Sequence, residues 1–163
     1  MVNKSKSYAI AAHGNQKYGD KPYSYHLDKV TKILSSYGEQ AQVIGYLHDV
    51  IEDTEINLLS IQNEFGNFIA EAVYVLTDEP GETRKDRKEK TYKKMKHVSG
   101  KYKLALIVKA ADRLANIEAC IDLNRFDKLE MYKKEHEIFK SAVYRKGLCE
   151  DIWKKIEILL KVF

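Results

Sequence analysis

The sequence predicts an all-α protein, and three observations carry that expectation. Helix breakers are scarce: 163 residues include two prolines, Pro22 and Pro80, and eight mostly isolated glycines. The stretches between them are rich in Lys, Glu, Leu, Ile and Ala, which lose little on entering a helix. Apolar residues recur at three- and four-residue spacing, and no alternating period-2 run competes with them.

In chain order, Pro22 follows the turn YGDK and is expected in the first turn of a helix, where its missing N–H costs nothing. In SYHLDKVTKILSSYG, Leu27, Val30, Ile33 and Leu34 recur at helical spacing. Val43, Ile44, Leu47 and Ile51 do the same in EQAQVIGYLHDVIED. Thr54 is the expected N-cap of a further helix through Leu58, Ile61 and Phe65, stopped at Gly66. Pro80-Gly81 marks the clearest loop, TDEPGE. KLALIVKAADRLANIEACI is apolar on most sides, as a central buried helix would be. The tail DIWKKIEILLKVF is amphipathic, with Trp153, Ile156 and Leu160 facing inward. The expectation is a bundle of about eight helices in one domain spanning residues 1–163, with no repeat or linker dividing it.

Composition sets outer bounds. A 44% hydrophobic and 32% charged chain suits a water-soluble globular protein. No apolar run approaches the roughly 20 residues that cross a bilayer, so no membrane partner is expected. The opening MVNKSKSYAIAAHGNQKYGD lacks the uninterrupted apolar stretch of a secretory signal. Cys120 and Cys149 form no CxxC pair or disulfide framework, and a cytoplasmic location is expected. The net charge of +4 is concentrated in TRKDRKEKTYKKMKHVSGKYK. That run suits an anionic substrate or nucleic acid, and equally the solvated face of a helix, the commoner meaning of a lone charge run.

The chemistry-bearing residues cluster in HDVIEDT, where His48, Asp49, Glu52 and Asp53 adjoin the apolar AQVIGYL. Burying such groups unpaired costs several kcal/mol each, on the order of the penalty for a desolvated charge. A divalent cation removes that cost, because it accepts imidazole and carboxylate together. His48 and Asp49 are adjacent and reach one ion only from its edge, so other ligands must come from elsewhere. His26 lies among apolar positions of the preceding helix, and Asp112 interrupts the most hydrophobic one. Singly, each reads as a core histidine or an ion pair with Arg113 or Lys109. Together, on three helices, His26, His48, Asp49 and Asp112 are the expected ligands of one metal.

These residues carry a resemblance. PYSYH, YLHDVIEDT, EFGNFIAEAV, LTDEPGETRKDRK and VKAADRLANI are similar to the HD-superfamily alarmone hydrolases, meaning the hydrolase domain of RelA/SpoT proteins and the small alarmone hydrolases of the Mesh1 type. The match runs from about residue 11 to 116, with a weaker helical continuation. It implies a helical HD-domain bundle and one Mn²⁺, or another transition metal, on His26, His48, Asp49 and Asp112. It implies that Glu52 and Asp53 orient or activate the attacking water. It also implies that Asn116 and a basic residue at Arg84 contact substrate, although Lys85, Arg87 and Lys88 leave the register open. Lys109 matches a basic position that reaches either phosphate or a neighbouring carboxylate. The chain departs from the family at Gln16-Lys17-Tyr18, where relatives stack an arginine on the guanine base. Tyr18 offers a π face instead, or simply packs against a helix end. His13, His97 and His136 read as structural or exposed, too few and too scattered for a second metal.

The expected activity is therefore removal of the 3′-pyrophosphate from (p)ppGpp. Two alternatives stand beside it. One keeps the chemistry on another purine nucleotide, (p)ppApp or the 2′-phosphate of NADPH. The other is a nucleic-acid or anion-binding module using the run from Arg84 to Lys103, with a vestigial metal site; no nucleic-acid partner is expected on the leading reading, and a homo-oligomer stays open.

Overall fold

A computed structural model describes residues 1–163. The chain is all-α except for one small hairpin: ten α-helices, two 3-10 turns and two strands of two residues each. Helix α1 (Val2–His13) leads into strands β1 (Lys17–Tyr18) and β2 (Lys21–Pro22). Next come α2 (Ser24–Ile33), α3 (Glu39–Leu47), α4 (Val50–Asp53), α5 (Leu58–Phe65) and α6 (Asn67–Leu76). They are followed by α7 (Arg84–Lys96), α8 (Lys103–Asp122), α9 (Phe126–Val143) and α10 (Glu150–Val162). No helix is long and apolar enough to cross a membrane.

The helix count exceeds the expected eight in part because one apolar stretch is interrupted, while α5 stops at Gly66 as expected. Gly66, at φ +87°, turns the chain between α5 and α6. The stretch read as one helix through HDVIED breaks at His48–Asp49, so α3 ends at Leu47 and α4 begins at Val50.

Helix α8 is the axis of the core. Its alanines 105, 110, 111, 115 and 119 are buried with Leu106, Val108, Leu114 and Ile117. Small side chains on several sides let α2, α3, α6, α9 and α10 all pack against it. Helix α3 approaches α2 closely, since a Cβ on Gly45 would stand 2.7 Å from Leu34 Cδ1 and 3.3 Å from Thr31 Oγ1. On α10, Trp153 and Ile156 are buried and Leu160 is partly so.

Two local expectations are corrected. Pro22 lies in β2, paired with Lys17, and α2 starts at Ser24; the N–H of Tyr23 donates to Gln16 O and closes the hairpin. A proline is tolerated in so short a strand because little of the ladder depends on its N–H. The N-cap of α5 is Asn57, whose side chain accepts from Ser60 N at 3.0 Å. Thr54 instead ends α4, donating to Val50 O and accepting from Ile56 N.

Candidate metal centre

Three separate elements deliver the expected ligands to one place. His26 sits in the first turns of α2, His48 and Asp49 in the α3–α4 break, and Asp112 midway along α8. His26 and His48 are 2% and 1% exposed. His48 Nε2 lies 3.0 Å from Asp49 Oδ2 and 3.6 Å from Asp112 Oδ1. His26 Nε2 lies 3.3 Å from Asp112 Oδ1, 3.7 Å from Asp49 Oδ2 and 3.4 Å from His48 Nε2. One ligand atom each from His26, His48 and Asp49 falls within 4.8 Å of the others, and Asp112 Oδ1 approaches both imidazoles.

The electrostatics fit a cation. His48 Nδ1 is 2.7 Å from Gly45 O and donates to it, which leaves a lone pair on Nε2 facing His26 and the two carboxylates. Such a group of acceptors repels itself unless a positive charge stands among them. Burial opposes charging His48, yet Asp49 and Asp112 outweigh burial and hold its pKa well above the usual histidine range, so that with no cation among the acceptors a proton on Nε2 takes its place. Burial likewise opposes the Asp112 carboxylate, and Lys109 with the two histidines holds it well below its usual value. Nitrogen and oxygen ligands stand about 2.1 Å from a divalent ion and hence roughly 3 Å from one another, close to the separations seen here. The donor set therefore fits a divalent metal.

Neighbouring side chains fix the ligands. Tyr23 donates to Asp49 Oδ2 at 2.6 Å. Asn116 Nδ2 donates to Asp112 Oδ1 at 2.6 Å, one helical turn away. His26 Nδ1 has no protein partner; its ring is held by stacking, parallel to Tyr18 at 4.8 Å and edge-on to Tyr23 at 5.8 Å.

The acidic pair diverges. Glu52 Oε2 accepts from Asp78 N at 3.1 Å and faces Lys109; burial raises its pKa, and Lys109 opposes the rise. Asp53 has a different partner, its Oδ2 accepting from Gln16 Nε2 at 2.9 Å.

The expected substrate contacts divide into two groups. Tyr18 and Asn116 are at the site: Tyr18 donates to Asn116 Oδ1 at 2.7 Å. Beside Tyr18 opens a pocket of about 150 Å³ lined by Ala119, Cys120 and Leu123, with Lys17, Arg125 and Lys128 at its rim. Lys109 is 7% exposed and 3.4 Å from Asp112 Oδ2, so of its two open readings the carboxylate is the one seen. Arg84 points elsewhere, onto Glu135, with Nε and Nη2 at 3.2 and 3.3 Å. The basic residue of that segment linked to the site is Lys88, 2.7 Å from Asp78, whose N–H holds Glu52. A surface cleft of about 500 Å³ between α9 and α10 lies apart from these residues.

Reasoning from sequence missed His13, Gln16, Tyr23 and Asp78. Tyr23 carried a signal, since it precedes His26 by three residues and shares its side of the helix start. Asp78 carried none, being an ordinary loop charge until the fold joins it to Glu52 and to Lys88, one of the residues that left the register of the basic contact open.

A family model described as an HD domain matches residues 6–149. The guanosine-3′,5′-bis(diphosphate) 3′-pyrophosphohydrolase MESH1 of Danio rerio is 33% identical over 126 residues, covering 73% of this chain and 67% of that protein. A GTP pyrophosphokinase of Streptomyces coelicolor is 29% identical over 161 residues, or 91% of this chain but only 18% of that much longer protein. A solved structure described as a metazoan ortholog of SpoT that hydrolyzes ppGpp and plays a role in starvation responses superposes with a TM-score of 0.81 at 22% identity. That superposition covers 98% of this chain and 93% of the other, and at such identity the likeness is one of fold.

Proposed function

This chain belongs to the HD domain family, and from that premise we propose that it is a metal-dependent (p)ppGpp 3′-pyrophosphohydrolase acting as one domain over residues 1–163. The observation that carries the reading is the convergence of His26, His48, Asp49 and Asp112 from three elements on one buried, acceptor-rich point. These four residues are assigned as ligands of one Mn²⁺: the two carboxylates suit that hard ion, and first-row divalent metals accept imidazole beside carboxylate. When bound, the ion lowers the pKa of water and neutralises charge on the phosphate.

The chain's own side chains supply the rest. Water adds at the phosphorus next to the ribose 3′ oxygen and the bond between them breaks; the 3′ oxygen is the leaving group and takes up a proton to give GDP or GTP, and the phosphoryl group departs with water's oxygen as pyrophosphate. Glu52 is assigned to take the proton from the attacking water, because partial desolvation makes its carboxylate more basic than usual. Asp53 orients the same water. Lys109 keeps Asp112 and Glu52 charged side by side, while Asn116 and Tyr18 face the nucleoside. Guanine is the expected base: Lys17 and Lys128, which line the pocket beside Tyr18, carry donors for the O6 and N7 acceptors of guanine, whereas adenine presents a donor in place of O6. Arg84 is assigned to the substrate's phosphates, after release from Glu135.

The test is direct. Purified protein with Mn²⁺ is expected to release pyrophosphate and GDP from ppGpp in equal amounts, to stop with EDTA, and to prefer ppGpp over ppApp and NADPH in competition. Absence of turnover on ppGpp with Mn²⁺, Fe²⁺, Zn²⁺ and Mg²⁺ alike would sink the substrate assignment. Preference for ppApp or NADPH would keep the chemistry and move the substrate.

A further inference from the structure

One buried histidine takes no part in the chemistry above. His13 closes α1, is 7% exposed, and lies with its Nδ1 2.8 Å from Gln16 Oε1. Gln16 in turn reaches Asp53 Oδ2 through Nε2 at 2.9 Å. The polarity of this chain follows from donor inventory. A carboxylate only accepts, so Gln16 must turn its NH₂ toward Asp53 and its carbonyl toward His13. His13 must then donate from Nδ1, which fixes its tautomer. Its Nε2 is left buried and without a partner, an arrangement a neutral imidazole tolerates far better than a charged one.

The same ring has a second attachment. It stacks on Tyr23 with centroids 4.3 Å apart and planes 22° from parallel. The Tyr23 hydroxyl is the group that donates to Asp49. His13 thus touches the two residues that hold Asp53 and Asp49, while touching neither carboxylate itself. Without the imidazole N–H, the Gln16 carbonyl loses its partner, and the bond to Asp53 alone is left to hold the side chain in place.

We infer that His13 is a positioning residue, which aims the Asp53 carboxylate at the attacking water by fixing the orientation of Gln16. The inference rests on the reading of Asp53 as one of the acidic pair, and it gives α1 a role in the reaction that its place in the packing does not require. Support of this kind around a metal site is commonly worth one to two orders of magnitude in activity.

The experiment uses the full chain loaded with Mn²⁺ and three substitutions. His13→Leu removes the N–H, Gln16→Met removes the bridge, and His13→Asn keeps an N–H where Nδ1 stands. His13→Leu and Gln16→Met are each expected to lower kcat for ppGpp roughly tenfold, with KM and metal content unchanged, and the double variant to be no worse than either alone. His13→Asn is expected to restore most of the rate. A second readout needs no turnover. Imidazole ¹⁵N shifts of the metal-free protein should show His13 protonated at Nδ1, and the Gln16 side-chain amide should lose its protection in His13→Leu. An Nε2-protonated His13, or additive losses in the double variant, overturns the inference. So does a Gln16→Met variant that loses metal together with rate, since that would assign the chain to ligand support. If the wild type releases no pyrophosphate, the substrate reading fails, while the tautomer and the amide still decide the role of His13. If His13→Leu does not fold, Gln16→Met and His13→Asn carry the decision.

Discussion

The metal cradle and helix α7 are both dense in ionisable groups, and they treat charge in opposite ways. In the cradle, two histidines almost wholly out of water face two carboxylates, with Lys109 as the nearest cation. Lys109 answers one face of Asp112, and the remaining acceptors crowd one point. Along α7, most of the cations are in water or already answered. Arg84 rests on Glu135, Lys88 on Asp78, Lys90 on Asp86 and Lys94 on Glu79. The exposed pair Lys90–Asp86 contributes little, about 0–1 kcal/mol, whereas Lys88–Asp78 is largely buried and balanced one for one. The difference teaches where function is written: in buried charge that the fold leaves unbalanced, rather than in charge that is merely abundant.

The largest expected effect tests that statement at its root. Asp49→Ala or His48→Ala should abolish metal binding and bring pyrophosphate release to background, while Lys93→Ala on α7 should change neither. Binding also reports on stability. At a hundredfold excess over Kd, Mn²⁺ should stabilise the wild type by about 2.7 kcal/mol, raising the melting temperature by roughly 5–10 °C, and should leave Asp49→Ala unmoved. Thermal melts with metal analysis decide it. A variant lacking Asp49 that still binds and melts like the wild type would break the contrast between the two regions.

Next in size is Glu52→Gln. Glu52 borders the cradle and holds no place among the four ligands, so the metal should stay while kcat falls by about 10²–10⁴, the usual contribution of a positioned base. Equal loss of metal and rate would move Glu52 into the ligand set. Full activity would leave the proton with Asp53 or with solvent.

The same contrast explains what was legible in the sequence. His26 and Asp112 stood out because each interrupts an apolar helical pattern, and the central position of α8 follows from its apolar girth. The break at His48–Asp49 was not legible, because periodicity reports which residues share a face and is blind to a turn that keeps the same face buried. Caps slipped for a related reason: Thr54 and Asn57 both suit an N-cap, and the choice depends on where α4 ends. Partners were least legible. Gln16 meets Asp53 across 37 positions and Tyr18 meets Asn116 across 98, so nothing local announces either bond. His13 therefore read as structural or exposed, and Lys88 as one of three alternatives to Arg84 that the sequence could not separate.

The smallest expected effect lies within α7, between two adjacent cations. Lys85 is 86% exposed and meets only Glu89 at 3.9 Å, one turn along its own helix. Arg84 reaches across to α9 and shares Glu135 with the buried Arg113, whose Nη2 is 3.3 Å from the same carboxylate. Glu135 therefore keeps a partner when Arg84 departs, so Arg84 can transfer to a phosphate without leaving a buried carboxylate unpaired. A phosphate offers more charge than the carboxylate it replaces, and a hydrogen bond to a charged group is worth about 1.5–3 kcal/mol. Arg84→Ala should then raise KM for ppGpp roughly tenfold with kcat nearly constant. Lys85→Ala should stay within about twofold, because a lone exposed lysine acts only through a field that salt screens. Steady-state kinetics at low and high ionic strength separate the two. Equal effects that vanish together in salt would make α7 a diffuse basic surface, with Arg84 no nearer the substrate than its neighbour.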